Sequence, residues 1–423
     1  MSGADLETLT HWTGVPAPRF VGGNRIELLQ GGDELFPRMC QAIDAAAMDV
    51  WLATYIFHDD PAANAVADAL KRAAARGVAV HVVVDGFGSI ASLPRVRLGF
   101  ADSGVRLEVF RPLERWYAWL LPGQLRRLHQ KLCVCDQQVA FVGGINLIDD
   151  RHDMNQGWFD APRLDFAVEL RGPLAASVHA TARAMWARAH LWHSWGDEAR
   201  AIARSARPAK EAMSLLRGLR GTTEVPGGAS SAPMHAAFIV RDHVRQRRAI
   251  ERSYVEAIRH AKARVDIAVP YFYPGRSFRL ALRRAARRGV RVRLLLQGKV
   301  DYRIAALAAR VLYDQLRVDG VQIYEYMPAF LHAKVAVVDD DWATVGSSNI
   351  DPLSLLLNLE ANVVVRDAEF AQALALRFDD AFADSVAVTD TPLRSGWRGW
   401  LQRALVAWAA ALYLRVAGIT GRY

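Results

Sequence analysis

Short apolar runs recur along this 423-residue chain, two of them preceded by a helical stretch that ends in arginine and glycine. Ala73–Gly86 and Ala285–Gly298 match in spacing and chemistry, and each reads as helix end, glycine stop and buried strand. Gly77 and Gly289 take the position after the helix where positive φ is needed, and a valine or leucine run follows each of them. Upstream of both copies lies a further helix and strand. One helix runs up to Ala46 before Val50–Tyr55, and the other runs up to Ala261 before Val265–Pro270. Downstream come the strand signals Gly104–Phe110 and Gly320–Tyr326. Strands alternating with helices predict an α/β fold, with a mostly parallel sheet covered by helices in each half.

Composition changes this picture little. Hydrophobic residues make up 52% and charged residues 23%, which excludes an extensively disordered chain. Lys and Arg exceed Asp and Glu by nine, favouring anionic partners without choosing among phosphate, nucleic acid and acidic lipid. An acid-free stretch holds Arg279, Arg283, Arg284, Arg287, Arg288, Arg291 and Arg293, and reads first as a solvated helix face. Cys40, Cys133 and Cys135 are too few for a disulfide framework and fit a reducing compartment. The N-terminus lacks the basic and apolar regions of a cleaved signal. The longest apolar run, Ala404–Leu414, falls short of the roughly 20 residues of a membrane-spanning helix. The Gly- and Pro-containing segment 218–233 reads as a linker. The expected plan is an extension 1–23, a first domain 24–217, that linker, a second domain 234–392 and an amphipathic segment 393–423.

After the third strand signal each half carries the same constellation. His129, Lys131 and Asp136 precede Gly143-Gly144-Ile145-Asn146, while His332, Lys334 and Asp339 precede Gly346-Ser347-Ser348-Asn349. In both, one residue separates His from Lys, four separate Lys from Asp, and six separate Asp from the glycine. On a strand, residues two apart share a face, so each His–Lys pair is expected to point the same way. A phosphodiester reaction needs a nucleophile, an acid for the leaving oxygen and cations on the non-bridging oxygens. Two histidines and two lysines supply these without a metal or another cofactor. A metal site of His129, Cys133 and Cys135 is disfavoured, because Ala336 and Val338 replace the cysteines in the second copy.

The duplicated motif resembles the phospholipase D superfamily, and within it the shorter bacterial cardiolipin synthases that lack N-terminal transmembrane helices. Supporting stretches are Glu27–Asp33, Thr54–Phe57, Asp85–Ser89, Asp165–Pro173, Pro270–Pro274 and Asn349–Pro352, and the likeness covers roughly residues 24–390. The resemblance implies two α-β-α halves related by pseudo-two-fold symmetry, with one active site at their interface. It implies phosphatidyl transfer through a phosphohistidine, joining two phosphatidylglycerols into cardiolipin and glycerol, with phosphatidylethanolamine a further candidate donor. His129 would be the nucleophile and His332 the acid and base, an order that the symmetry of the repeat leaves open. Lys131, Lys334, Asn146, Asn349 and Ser347 would bind phosphate oxygens. Asp165 and Glu360 would orient the histidines, with Asp160 a nearby competitor. Asp136 and Asp339 complete the motif and are expected to hold strand-turn geometry.

The superfamily also includes phospholipase D hydrolases and nucleic-acid phosphodiesterases, so the lipid reading rests on other features. Eighteen residues separate Phe110 from His129, against five between Tyr326 and His332. The excess includes Trp116, Tyr117 and Trp119 near arginines, a composition suited to a bilayer interface or to burial against a neighbour. Trp397, Trp400 and Trp408 around the Ala404–Leu414 run suggest a second interfacial anchor. The expected partners are anionic phospholipids and a membrane surface, with no nucleic acid. The expected location is peripheral, on the cytoplasmic side of the bacterial inner membrane. Oligomeric state is left open.

Overall fold

The computed structural model describes residues 18–112, 126–154, 156–204, 234–241, 248–299, 313, 315–351 and 358–389, with side chains beyond Leu191 in the long helix left aside. The expected linker and both expected tryptophan-rich membrane contacts (Trp116, Tyr117 and Trp119; Trp397, Trp400 and Trp408) lie outside the described residues. Of the described residues, those within 20–158 and 166–238 form one compact unit, and those within 18–19, 159–165 and 239–389 the other.

In chain order the elements are β1 (Val21–Gln30), α1 (Gly31–Ala45), β2 (Asp49–Thr54), α2 (Pro61–Ala75), β3 (Ala79–Asp85), α3 (Leu93–Phe100), β4 (Arg106–Phe110), β5 (Leu132–Cys135), β6 (Val139–Gly143), β7 (His152–Asp153), β8 (Gly157–Trp158), β9 (Phe166–Arg171) and α4 (Leu174–Arg204). Then follow β10 (Met234–Arg241), α5 (Ala249–His260), β11 (Arg264–Ala268), α6 (Arg276–Arg287), β12 (Arg291–Gln297), β13 (Gln322–Tyr326), β14 (Val335–Val338), β15 (Trp342–Gly346), β16 (Glu360–Arg366), α7 (Ala368–Ala383) and β17 (Ser385–Ala387).

In the first unit β2, β3 and β4 are parallel, because α2 and then α3 return the chain to the same edge before each new strand. The remaining neighbours, β2 with β5, β5 with β6, β6 with β9 and β9 with β1, are antiparallel. The second unit repeats the plan, with β11, β12 and β13 parallel and β11–β14–β15–β16 antiparallel. The α/β class read from the sequence stands, but each sheet is mixed rather than mostly parallel. The short turn from Asp136 to Gln138 leaves no length for a crossover, so β5 and β6 can only form a hairpin.

One face of the first sheet, with Val50, Leu52, Val80, Val82 and Cys133, packs on α1 and α2 through Ile43, Val66 and Leu70. Side chains of this kind contribute about 1.5–3 kcal/mol each on full burial. The opposite face carries Trp51 stacked on His81 at 3.8 Å, with His179 of α4 edge-on to the indole at 5.8 Å. Burial and the nearby Arg106 push the His81 imidazole down to about 4, so it packs as a neutral ring. Cys133 and Cys135 are both buried in this core, as their apolar counterparts in the second copy suggested. Gly77 and Gly289 both have φ of +89°, as the repeated helix stop requires.

The arginine-dense stretch is less of a free anionic-binding face than its composition suggested. Arg283 and Arg287 both pair with Asp319, Arg293 binds Asp266 (2.7 Å) and Asp379 (2.7 Å), and Arg288 donates to the Ile258 and Ala261 carbonyls. The acids that answer these arginines are remote in sequence, so the local charge run concealed them. Among the described residues, no helix is long and apolar enough to cross a membrane.

Candidate active site

Each motif enters its sheet on the segment just before the fifth strand of its repeat. His129 and Lys131 precede β5, and His332 and Lys334 precede β14, so neither pair lies within a regular strand. The lysines fold back: Lys131 Nζ donates to the His129 carbonyl at 2.7 Å, and Lys334 Nζ donates to the His332 carbonyl. These contacts hold each ammonium beside its histidine without the strand alternation that the spacing suggested.

The residue before each histidine is anchored by a side chain from the end of a parallel strand. Asp85 Oδ2 accepts from Leu128 N at 2.8 Å, and Gln297 Oε1 accepts from Leu331 N at 2.7 Å. Asp85 also receives the N–H groups of Phe87 and Gly88, which closes the turn between Asp85 and Ser89. Its full burial raises the carboxyl to about 6, against the lowering by Arg127 and these backbone donors. Neither anchor was singled out from the sequence as acting on the motif, although both stand immediately before a glycine at matching repeat positions, Gly86 and Gly298.

Asp136 and Asp339 serve the strand before them. Asp136 accepts from the backbone N–H groups of Ala47, Met48 and Asp49 at 2.8–2.9 Å, and Asp339 accepts from Lys262, Ala263 and Arg264 at 2.7–3.1 Å. Both residues have positive φ, 53° and 52°, which aspartate tolerates better than most residues. Burial raises the Asp136 carboxyl, but the three donors outweigh it and its pKa is lowered. A depressed carboxylate stabilises the fold above its unfolded pKa, and that contribution is lost as pH falls through the folded value. Asp136→Ala is expected to cost about 2–4 kcal/mol at neutral pH, read as a lower urea midpoint, and less in acid.

The glycine that opens each Gly-x-x-Asn turn is a packing requirement. A Cβ at Gly143 would lie 2.6 Å from the Phe166 carbonyl oxygen, and one at Gly346 2.6 Å from that of Ala361. The same neighbouring strands show why Asp165 and Glu360 are equivalent. Gly143 pairs with Ala167 and Gly346 with Asn362, so each acid stands two residues before the partner of the motif glycine.

In the second unit these elements converge. The stretch around Leu164 runs alongside Leu331, with Leu164 N donating to the Phe330 carbonyl (2.8 Å) and His332 N to the Leu164 carbonyl (2.9 Å). This brings the buried Asp165 Oδ2 to 2.6 Å from His332 Nδ1. Asp165, rather than its competitor Asp160, meets the imidazole. Lys334 is almost fully buried, and desolvation lowers its ammonium to about 8, although the Asp165 and Glu360 carboxylates pull it back upward. Ser347 donates its hydroxyl to Glu360 Oε2 at 2.5 Å and accepts from Ala361 N, so that hydroxyl is already engaged. Asn349, two residues further on, is also buried.

In the first unit His129 meets the edge of Tyr55 with ring centroids 5.0 Å apart, and Lys131 Nζ sits 5.5 Å from the same ring. Asn146 is buried and its Oδ1 accepts from Ile56 N at 3.3 Å. Tyr55 is a neighbour that the motif spacing did not reveal. His332 Nδ1 faces the Asp165 carboxylate, and the buried Lys334 ammonium lies 2.8 Å from the same nitrogen, so acid, imidazole and cation form one cluster.

The cardiolipin synthase, PLD-like domain family matches residues 39–157 and 254–381. The cardiolipin synthase B of Salmonella typhimurium is 36% identical over 389 residues, covering 89% of this chain and 85% of that protein. The protein of the same name from Escherichia coli K12 is 36% identical over 388 residues, with the same coverage. Among solved structures, phosphatidylserine synthase from Haemophilus influenzae aligns over 98% of both chains with a TM-score of 0.68 at 12% identity, a likeness of fold.

Proposed function

The chain belongs to the phospholipase D-like cardiolipin synthase family and is a phosphatidyltransferase acting on phospholipids, and we propose that its two histidine motifs act on one phosphorus atom. His129 attacks the phosphorus of phosphatidylglycerol, and the bond from phosphorus to the glycerol oxygen breaks. His332, protonated on Nε2, gives that proton to the departing glycerol. The phosphatidyl group is then held on a His129 nitrogen. A headgroup hydroxyl of a second phosphatidylglycerol gives its proton to neutral His332 as its oxygen attacks phosphorus. The P–N bond breaks, cardiolipin leaves and both imidazoles return to their starting states.

Asp165 holds the His332 tautomer through each proton transfer and stabilises the imidazolium. By the symmetry of the repeat, Glu360 serves His129 in the same way. Lys131 and Lys334, with Asn146 and Asn349, neutralise and orient the non-bridging oxygens. Ser347 acts by fixing Glu360, since its hydroxyl already donates there. The observation that most supports this reading is the pairing of His332 with Asp165 beside the buried Lys334.

The substrate class also fits the surface near the first motif. Phe87 and Ile90 are each 50% exposed on the turn that Asp85 fastens to Leu128, and Arg127 lies over the Phe87 ring at 5.3 Å. Aromatic and cationic groups together suit the headgroup region of a bilayer. We place the protein peripherally on the cytoplasmic face of the membrane, a location compatible with three free cysteines.

Incubating the purified protein with phosphatidylglycerol vesicles and resolving the lipids separates transfer from hydrolysis. Cardiolipin and free glycerol are expected in equal amounts. Phosphatidic acid as the main product would instead make water the preferred acceptor.

A further inference from the structure

Away from the duplicated motifs, the first unit gathers two histidines and a carboxylate that neither the repeat nor the phosphatidyl chemistry uses. We propose that His58, Asp60 and His152 bind one divalent transition-metal ion of the zinc class, which clamps the loop carrying Asn146 to the end of β2. Their ligand atoms all lie within 4.8 Å of one another. His58 Nδ1 stands 3.2 Å from Asp60 Oδ2, and His152 Nδ1 stands 3.7 Å from the same oxygen. The second separation is too long for a hydrogen bond. Ligand atoms on a tetrahedral ion, with bonds of about 2.0–2.2 Å, sit roughly 3.3–3.6 Å apart, close to both values.

The carboxylate is held as a ligating carboxylate usually is. Asp60 is buried, its Oδ1 accepts from Ala63 N at 3.0 Å and its Oδ2 from Asp149 N at 2.9 Å. The His152 ring stacks on Trp158 at 4.9 Å. The two histidine side chains keep 13% and 17% of their exposure, enough to admit an ion and a water as fourth ligand.

The consequence for the loop follows from the backbone. His58 N donates to the Leu147 carbonyl (2.8 Å), Leu147 N donates to the Ile56 carbonyl (3.1 Å), and Ile56 N donates to Asn146. An ion joining His58 and Asp60 to His152 closes this loop on its far side. The second unit has the same backbone pairing, with Tyr273 N on the Ile350 carbonyl at 2.8 Å, but Tyr273 and Gly275 stand where the first unit has His58 and Asp60. The cluster is therefore an addition to one copy and no part of the duplicated chemistry.

Titrating the chelator-treated full-length protein with Zn²⁺ by calorimetry tests this directly. One ion per chain is expected, and Co²⁺ in its place should show the visible absorption of a tetrahedral site. His58→Gln and His152→Gln are each expected to weaken Zn²⁺ binding by at least about a hundredfold, while His260→Gln, on α5, leaves it unchanged. Metal-free melting curves of the variants check that they fold. Absence of saturable Zn²⁺ binding by the unsubstituted protein, or equal affinity in both glutamine variants, would overturn the proposal.

Discussion

Alanine at either His129 or His332 is expected to lower turnover of phosphatidylglycerol by at least about 10⁴-fold, with vesicle binding retained. The size follows from losing the nucleophile or the proton carrier of a two-step transfer, each as costly as removing one member of a coupled catalytic set. The pattern matters as much as the size. If each repeat were an independent site, either single variant would keep about half of the activity. Shared chemistry makes both losses near complete, and the double variant little worse than either single one. Initial rates of cardiolipin formation on vesicles, with flotation to measure binding, separate the two cases.

The second large effect concerns Lys334, whose buried ammonium titrates at about 8 instead of 10.5. Charge on this group is needed to neutralise phosphate oxygens, so turnover should fall as pH rises past about 8. Stability should move the other way. The folded lysine loses its proton before the unfolded one, so the penalty for burying the charge is fully present below about pH 8. That penalty is relieved as pH rises from there toward 10.5. Lys334→Met removes the buried charge while roughly keeping the volume. It is expected to leave Tm unchanged or higher while turnover drops about 10²–10³-fold, and to erase the alkaline limb from the remaining pH–rate profile. A lower Tm with an intact alkaline limb would show that the lysine is structural and that another group titrates.

What the sequence made legible was periodic or duplicated. The Gly77 and Gly289 stops, the parallel strands beside them and the two His–Lys–Asp series all announce themselves by matched spacing. Asp165 and Glu360 entered through family resemblance, because a longer connection after Asn146 hides their equivalence. Only the β6–β9 and β15–β16 registers display it. Contacts across many residues left no local trace. Asp85 reaches Leu128 and Gln297 reaches Leu331 from neighbouring strands, while Asp319 and Asp379 answer arginines that a linear reading leaves solvated. The mixed sheet was missed for a related reason: buried hairpin strands such as Leu132–Cys135 and Val139–Gly143 have the same continuous apolar character as parallel ones.

The shared phosphorus is tested most directly by rapid quenching of the enzyme with labelled phosphatidylglycerol, followed by mass mapping of the modified peptide under conditions that preserve phosphohistidine. One phosphatidyl group per chain, confined to the His129 peptide and absent from His129→Ala, is the expected result. Label on both histidine peptides at a combined two per chain, or turnover without any histidine adduct, would contradict it.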